Sequence, residues 1–172
     1  LHLSIRRQRQ MCIRDSIDGW NYGFLCRETC TDNGDHTWGD WMLGSTISKC
    51  TSSTTDECFS MYWNANYEVI KRCNMLIDNI DRVPMEADKI DGYKAEAIAL
   101  RALMYCNLTS VFRDVPYLTK PLTLAEAQAP KTERAQIVSS VLEDLKTWIP
   151  KIPVIGKAKT GRMTQEAAYA IM

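Results

Sequence analysis

The short stretch HTWGDW, residues 36–41, carries the side chains best suited to bind a ligand. Trp38 and Trp41 lie in a polar, glycine-containing stretch and belong to no periodic apolar pattern. A tryptophan ring can stack on the apolar face of a sugar ring, while polar neighbours such as His36 and Asp40 bind its hydroxyl groups. The same two tryptophans can instead fill a seam between helices. Both interpretations stay open, and these four residues are the predicted ligand-binding set.

Catalytic and metal-binding chemistry have less support in the sequence. His36 is the only histidine beyond residue 16, and no serine or cysteine has an evident partner for acid–base catalysis. Asp32, Asp35 and Asp40 offer oxygen ligands for calcium, but the twelve-residue loop pattern with its terminal glutamate is missing, which favours a solvated loop. No two carboxylates stand out as a glycosidase pair. We therefore predict a protein that is not an enzyme, with no cofactor and no metal site.

The first 16 residues, LHLSIRRQRQMCIRDS, differ in character from the rest. They are basic and non-periodic, and they resemble a mistranslated sequencing adaptor, so residues 1–16 are predicted to be a non-native segment. Without its four arginines and one aspartate, the chain has 17 basic and 20 acidic side chains, a net charge of −3. This mild acidity argues against nucleic-acid binding, which requires a clustered basic face. No run reaches the roughly 20 apolar residues that span a membrane.

Six cysteines remain beyond residue 16, without the close pairs typical of zinc sites. Cys50 and Cys58 flank a polar loop and could be bridged in an oxidising compartment, or could both carry thiols. Cys73 and Cys106 fall within apolar helical patterns, which predicts that both are buried.

Two long helices with a short connection are predicted in the middle of the chain, over residues 57–82 and 87–111. The apolar face of the first consists of Trp63, Tyr67, Ile70, Cys73, Ile77 and Ile80. The apolar face of the second consists of Ile90, Tyr93, Ala97, Leu100, Met104, Leu108 and Val111. Thr54 and Glu57 form a possible capping box, and Pro84 follows the first helix. A connection of a few residues predicts an antiparallel hairpin, in which small alanines of the second helix approach the first.

The stretch DVPYLTKPLT, residues 114–123, cannot be helical because Pro116 and Pro121 each lack a backbone donor. Arg113 stands where a helix often ends on a left-handed glycine. Further helices are predicted over residues 133–148, capped by Thr132, and from residue 165 onwards, capped by Thr164. A short helix is also predicted over residues 17–30.

Four patterns in this order resemble the SusD/RagB family of surface glycan-capture lipoproteins. They are WNANYEVIKRCNMLIDNI, AEAIALRALMYCNL, FRDVPYLTKPL and GRMTQEAAYAI, and the resemblance covers roughly residues 20–172. The family usually has glycine at the position of Arg113. The motif residues, predicted to be structural, are Trp63, Tyr67, Asn74, Arg101, Asp114, Pro116, Gly161 and Arg162.

The resemblance implies an all-α fold of tetratricopeptide-like helical hairpins with long loops. It implies that residues 17–172 are the N-terminal part of such a domain, truncated at the C-terminus. It further implies non-catalytic binding of oligosaccharides or other nutrients, with a SusC-like TonB-dependent transporter as partner. Attachment to the outer membrane would use an N-terminal lipid anchor absent from this chain. The alternative is a helical-repeat scaffold that binds proteins and has no role with glycans.

Overall fold

The computed structural model describes residues 45–121 and 129–172. In these two stretches the chain is mainly helical and forms no strand, and one isolated bridge pairs Val115 with Thr132. The predicted all-α fold is confirmed. The α-helices of these stretches are α1 (Ser45–Ser48), α2 (Glu57–Asn79), α3 (Ala87–Phe112), α4 (Arg134–Trp148) and α5 (Gln165–Ile171). Short 3-10 turns, Ile80–Arg82 and Ile149–Lys151, extend α2 and α4. The chain divides into two compact units, Leu1–Trp63 and Asn64–Met172.

In the described part of the first unit, Asp56 organises the loop before α2. Its Oδ2 accepts a hydrogen bond from the Thr46 hydroxyl (2.7 Å) and another from the backbone N–H of Ser53 (3.2 Å). The helix begins at Glu57, so the predicted capping box, which requires a start at Thr54, is wrong. Asp56 stands directly before the first helical residue, a position that favours aspartate, and its side chain bonds to the preceding loop at Thr46 and Ser53.

The cysteine predictions are only partly correct. Cys50 and Cys58 are not joined by a disulfide, and Cys73 is buried as expected. Cys106, in contrast, is exposed. Cys106 lies in an apolar stretch of α3, but its side chain is exposed, so the prediction that it is buried is wrong.

Helices α2 and α3 lie antiparallel, as predicted. Two side-chain hydrogen bonds connect them, from Asn107 Nδ2 to Asn66 Oδ1 (3.3 Å) and from Arg101 Nη1 to Asn74 Oδ1 (2.8 Å). A third joins Lys94 Nζ of α3 to Asp81 Oδ2 (2.7 Å) of the 3-10 turn that extends α2. Residue numbers rise along one helix while those of the partners fall along the other, which defines the antiparallel direction. The predicted apolar face of α2 is also confirmed, with Ile70, Cys73 and Ile80 buried.

The core of the second unit lies between α3 and the segments that follow it. Its buried members are Ala95, Ala99, Ala102, Leu145, Ile149, Ile152 and Ala168. These three alanines therefore pack against α4, the 3-10 turn Ile149–Lys151 and α5. The expectation that they pack against α2 is wrong. Their small side chains let these elements lie close to α3.

The predicted apolar face of α3 is correct at some positions and wrong at others. Ala97 and Leu108 are buried, but Tyr93, Leu100 and Val111 are 38%, 39% and 48% exposed. Helix α3 is apolar on nearly every side, so periodicity does not tell which faces are covered by other elements. The covered faces are those directed towards α4 and towards the extended segment after the helix.

Candidate functional site

The four predicted ligand-binding residues lie outside the described residues. These are Trp38, Trp41, His36 and Asp40, in the stretch that precedes Ser45. Among the structural motif residues, Trp63 is half-buried at the end of the first unit. The other motif residues belong to the second unit, where several of them converge on one extended segment.

Residues 114–121, here named the crossing segment, follow α3 and lie across α2 and α3. Pro116 and Pro121 prevent this segment from forming a helix, so its backbone groups need other partners. The Tyr67 hydroxyl donates to the Pro116 carbonyl oxygen (2.7 Å). Asn74 Nδ2 donates to the carbonyl oxygens of Leu118 (2.9 Å) and Lys120 (3.3 Å). Side chains of α2 thus form the hydrogen bonds that a neighbouring strand would provide in a β-sheet.

Tyr105 binds both backbone groups of one residue in the crossing segment. Its hydroxyl donates to the Leu118 carbonyl oxygen (3.0 Å) and accepts from the Leu118 N–H (2.6 Å). The ring is almost completely buried and packs against Tyr117 with 4.8 Å between centroids. A phenol can donate and accept at once, so the buried Tyr105 hydroxyl binds both backbone groups of Leu118 and fixes the position of the crossing segment.

Arg101 connects four elements through one buried guanidinium group. Nη1 donates to Asn74 Oδ1 (2.8 Å) and to the Thr119 carbonyl oxygen (3.3 Å), and Nη2 forms an ion pair with Asp144 Oδ2 (2.9 Å). Only 8% of the arginine side chain is exposed, against 36% for that of Asp144. A buried charge is stable only when it is paired and hydrogen-bonded, and here α2, α4 and the crossing segment supply those partners to α3.

We name Tyr67, Asn74, Arg101, Tyr105 and Asp144 the polar clamp. Burial raises the pKa of the Tyr67 hydroxyl, and the neighbouring Tyr105 raises it further. Burial also raises the pKa of the Tyr105 hydroxyl, although the hydrogen bond with Leu118 and the charge of Arg101 oppose the shift. Both phenols are therefore neutral near pH 7 and act as structural hydrogen-bond donors.

Next to the clamp, the Cys73 thiol is also held in its neutral form. Burial raises its pKa, and the positive charge of Arg101 only partly offsets this effect. Because the thiolate is the nucleophilic form, the site does not activate this cysteine for covalent chemistry. The polar clamp therefore binds the backbone of the crossing segment and has no reactive group.

A residue with positive φ ends α3 and starts the crossing segment. Arg113 has φ 61° and ψ −93°, a conformation that disfavours residues with a β-carbon. The turn brings Asp114 to the start of α4, where its Oδ1 accepts a hydrogen bond from the backbone N–H of Arg134 (2.9 Å). The predicted cap of α4, Thr132, is wrong: this residue instead pairs with Val115 through backbone hydrogen bonding.

Gly161 and Arg162 position the chain before α5. Gly161 has φ 81°, which a residue without a β-carbon adopts readily. Arg162 forms an ion pair with Glu96, with Nε 3.2 Å from Oε1, and its guanidinium carbon lies 4.9 Å from the centre of the Tyr93 ring. Thr164 then caps α5, as predicted, by accepting from the Ala167 N–H (3.3 Å).

A groove of about 760 Å³ opens between α2 and α3. We name it the α2–α3 groove. Its apolar walls include Val69, Cys73 and Leu76 of α2 and Tyr93, Ala97 and Leu100 of α3. Sequence reasoning assigned Cys73, Ala97 and Leu100 to the predicted helix faces, but neither Val69 nor Leu76. The structure leaves Leu76, Tyr93 and Leu100 partly exposed in the groove.

The described stretches, 45–121 and 129–172, hold neither a metal-binding cluster nor a membrane-spanning helix. In them, no three His, Cys, Asp or Glu side chains are grouped so that they could hold a metal ion. None of the helices described there has the length and apolarity needed to cross a membrane.

Comparison with known proteins identifies the family. The model of a SusD-like family, described as starch-binding and associating with the outer membrane, matches residues 18–172. This chain belongs to the SusD-like family. Two SusD-like proteins of Formosa agariphila are 29% and 27% identical to it over 142 and 131 residues, which are 80% and 73% of this chain. The chain spans only about a quarter of the length of these relatives, 25% and 26%.

Solved structures show the same relationship. A laminarin-binding SusD-like protein is 32% identical, with a TM-score of 0.69 over 74% of this chain and 28% of its own. A SusD-like carbohydrate-binding protein from Bacteroides fragilis is 27% identical, with a TM-score of 0.78 over 89% of this chain and 31% of its own. The helical arrangement described above is therefore that of SusD-like proteins.

Proposed function

We propose that this chain is the N-terminal portion of a non-catalytic protein that binds oligosaccharides at the cell surface. The observation that carries the proposal is the family match over residues 18–172. The similarity to a laminarin-binding and to a carbohydrate-binding SusD-like protein supports a glycan as the ligand. In the intact protein, a lipid at the N-terminus would anchor it in the outer membrane, and a SusC-like TonB-dependent transporter would receive the glycan.

The polar clamp supports a scaffold role for the second unit. Arg101 links α2, α4 and the crossing segment to α3, while Tyr67 and Tyr105 bind the backbone of that segment directly. A binding protein gains affinity when its scaffold is rigid before the ligand arrives, because less conformational entropy is then lost on binding. We therefore assign these residues to preorganisation and not to ligand contact.

Ligand contact is assigned to residues outside the described part of the chain. Trp38 and Trp41 would stack on sugar rings, and His36 and Asp40 would bind sugar hydroxyls. The assignment rests on their residue types and on their position in a polar stretch. It competes with the interpretation in which both tryptophans fill a seam between helices.

The experiment uses the intact protein encoded by the complete reading frame. Laminarin and starch oligosaccharides would be titrated into the wild type and into Trp38→Ala and Trp41→Ala, with thermal unfolding measured on the same samples. We expect at least about fivefold weaker binding for each variant, since aromatic stacking contributes on the order of 1–3 kcal/mol, with little change in melting. Trp148→Ala, at the edge of the core, is the control: it should lower the melting temperature but not the affinity.

Other outcomes are equally informative. If the tryptophans fill a seam, each truncation should cost about 3–5 kcal/mol of stability, the usual range for a buried tryptophan. Unchanged affinity in both variants refutes the stacking role. If the intact wild type binds neither glycan, nor any other oligosaccharide offered, the proposed function is wrong.

A further inference from the structure

The loop that leads into α5 closes on itself. We name residues 153–164 the α5 loop. The backbone N–H of Gln165, directly after the loop, donates to the carbonyl oxygen of Pro153 at its start (3.1 Å). Ile152, which precedes the loop, and Ala168 in α5 are both buried in the core of the second unit. The two ends of the loop are therefore fixed next to each other by contacts that do not involve its middle.

The middle of the α5 loop lies on the surface. Of residues 155–162, all but Ala158 are exposed. The backbone hydrogen bonds inside the loop join residues only three or four positions apart. Gly156 and Gly161 have φ 84° and 81°, and a β-carbon at either position would meet no atom within 4 Å. The position of the stretch between these glycines therefore depends on contacts that the loop makes with other elements.

The carboxylate of Glu166 in α5 makes one of these contacts. Its Oε2 lies 3.0 Å and its Oε1 3.2 Å from the backbone nitrogen of Ile155, whose N–H donates to it. A hydrogen bond from its own backbone N–H is the main cause that lowers the pKa of the Glu166 carboxyl. Loss of hydration opposes this shift, while bonds from Ile155 and Thr164 add to it. Glu166 is therefore ionised at neutral pH, and hydrogen bonds to an ionised acceptor are roughly twice as strong as those between neutral groups.

Other charged groups in the neighbouring elements are paired with each other. Lys151, in the 3-10 turn, is paired with Asp91 of α3 (2.7 Å), and Arg162 of the loop is paired with Glu96 of α3. Arg162 thus attaches the second half of the loop to α3, and Glu166 attaches the first half to α5. The remaining titratable side chains of the loop and of α5 are all exposed: Lys157, Lys159 and Tyr169.

We infer that Glu166 is an acid-sensitive latch: its carboxylate holds Ile155 against α5, and its protonation lets the stretch from Gly156 to Gly161 open while the helical core stays folded. Protonation weakens the hydrogen bond because the acceptor loses its charge. The bond between Gln165 and Pro153 closes the base of the loop and does not involve the carboxylate, so the opening is local. Since the folded pKa of Glu166 is lowered, closure is complete above the ordinary glutamate pKa and is lost as the pH falls through the folded value.

Hydrogen exchange of the Ile155 amide in the intact protein tests this inference. Its protection factor, corrected for the intrinsic pH dependence of exchange, would be measured by NMR between about pH 3 and pH 7, a range that brackets the usual glutamate pKa of about 4.3. In the wild type we expect protection to fall at least about threefold on acidification. Glu166→Gln keeps an acceptor oxygen without the charge, so its protection should already be lower at neutral pH and should not fall further. Glu143→Gln, which changes an exposed carboxylate on α4, is the matched control and should behave like the wild type.

A second amide reports on the core in the same samples. The Ile152 N–H donates to the Ile149 carbonyl oxygen (3.0 Å) outside the loop, and its protection should stay constant over the range in which Ile155 loses protection. An equal loss at both amides would mean that the protein unfolds globally, which would overturn the inference. It would also be overturned by wild-type protection at Ile155 that does not change with pH, or by the same pH dependence in Glu166→Gln as in the wild type.

Discussion

The carboxylate of Asp114 caps a helix that begins 20 residues later. Its Oδ1 accepts a hydrogen bond from the backbone N–H of Arg134 (2.9 Å), the first residue of α4. Glu133, which directly precedes α4, makes no capping bond with its side chain, and the first turn of α4 contains no acidic residue. Asp114 thus provides both the missing acceptor and a negative charge at the positive end of the helix dipole.

The first prediction concerns this cap. Asp114→Ala should lower the free energy of unfolding by about 1 kcal/mol, since one N–H at the start of α4 loses its acceptor. Asp114→Asn keeps an acceptor oxygen and should cost less. Urea unfolding of both variants checks the order. Glu133→Ala is the control and should be nearly neutral; a larger loss there than at Asp114 would contradict the assignment of the cap.

The second prediction concerns the buried guanidinium group. Arg101→Met should destabilise the protein by about 3 kcal/mol, because it removes the shared partner of Asn74, the crossing segment and Asp144. Arg101→Lys should rescue little of this loss, since a single ammonium group cannot reproduce the planar fork. The control is Arg72→Met, which removes an exposed pair with Glu68 and should cost less than about 1 kcal/mol. Similar losses of stability in Arg101→Met and Arg72→Met would contradict the larger role assigned to the buried guanidinium group.

The third prediction concerns the turn at the end of α3. Arg113→Gly should stabilise the protein by about 1 kcal/mol, because the positive φ of this residue costs about 1–2 kcal/mol for a residue with a β-carbon. Arg113→Ala keeps the β-carbon and should have little effect. Thermal and urea unfolding measure both. Destabilisation by glycine but not by alanine would mean that the turn is not strained.

The fourth prediction concerns alkaline pH. The pKa of Tyr105 is raised in the folded state, chiefly by burial, so the folded protein holds this proton more tightly than the unfolded chain. Its contribution to stability is complete below the unfolded pKa of about 10 and is lost as the pH rises through the higher folded value. Stability should therefore fall above pH 10. In that range Tyr105→Phe should be less sensitive to pH than the wild type.

Tyr169→Phe serves as the control for the alkaline titration, because Tyr169 is 56% exposed. It should show the same pH dependence as the wild type when the free energy of unfolding is measured between pH 8 and pH 11, a range that brackets the usual tyrosine pKa of about 10. Identical slopes for Tyr105→Phe and the wild type would contradict the role assigned to the buried phenol.

Sequence patterns predicted the local structure well where short-range chemistry decides it. The bounds of α2, α3 and α4 are close to those expected, and Thr164 caps α5 as predicted. Pro116 and Pro121 correctly predicted an extended segment, because the missing N–H acts within the segment itself. These features depend on neighbouring residues, which the sequence shows directly.

Contacts between distant residues could not be predicted in the same way. Asp144 occupies a polar position on α4 that is typical of a solvated face, yet it forms an ion pair with buried Arg101, 43 residues earlier. Tyr105 lay outside the predicted apolar face of α3, although it is among the most buried side chains described. Since α3 is apolar on nearly every side, the choice of its covered faces depends on where α4 and the crossing segment pack.

The polar clamp also makes the α2–α3 hairpin depend on a helix that comes later in the chain. Asn74, Arg101 and Asp144 come from three helices, and the carboxylate is synthesised last. Without Asp144, the folded protein would hold the buried guanidinium group of Arg101 without its counter-ion, which is strongly unfavourable. The clamp is therefore complete only when α4 is in place, so the α2–α3 hairpin and α4 should gain and lose their structure together.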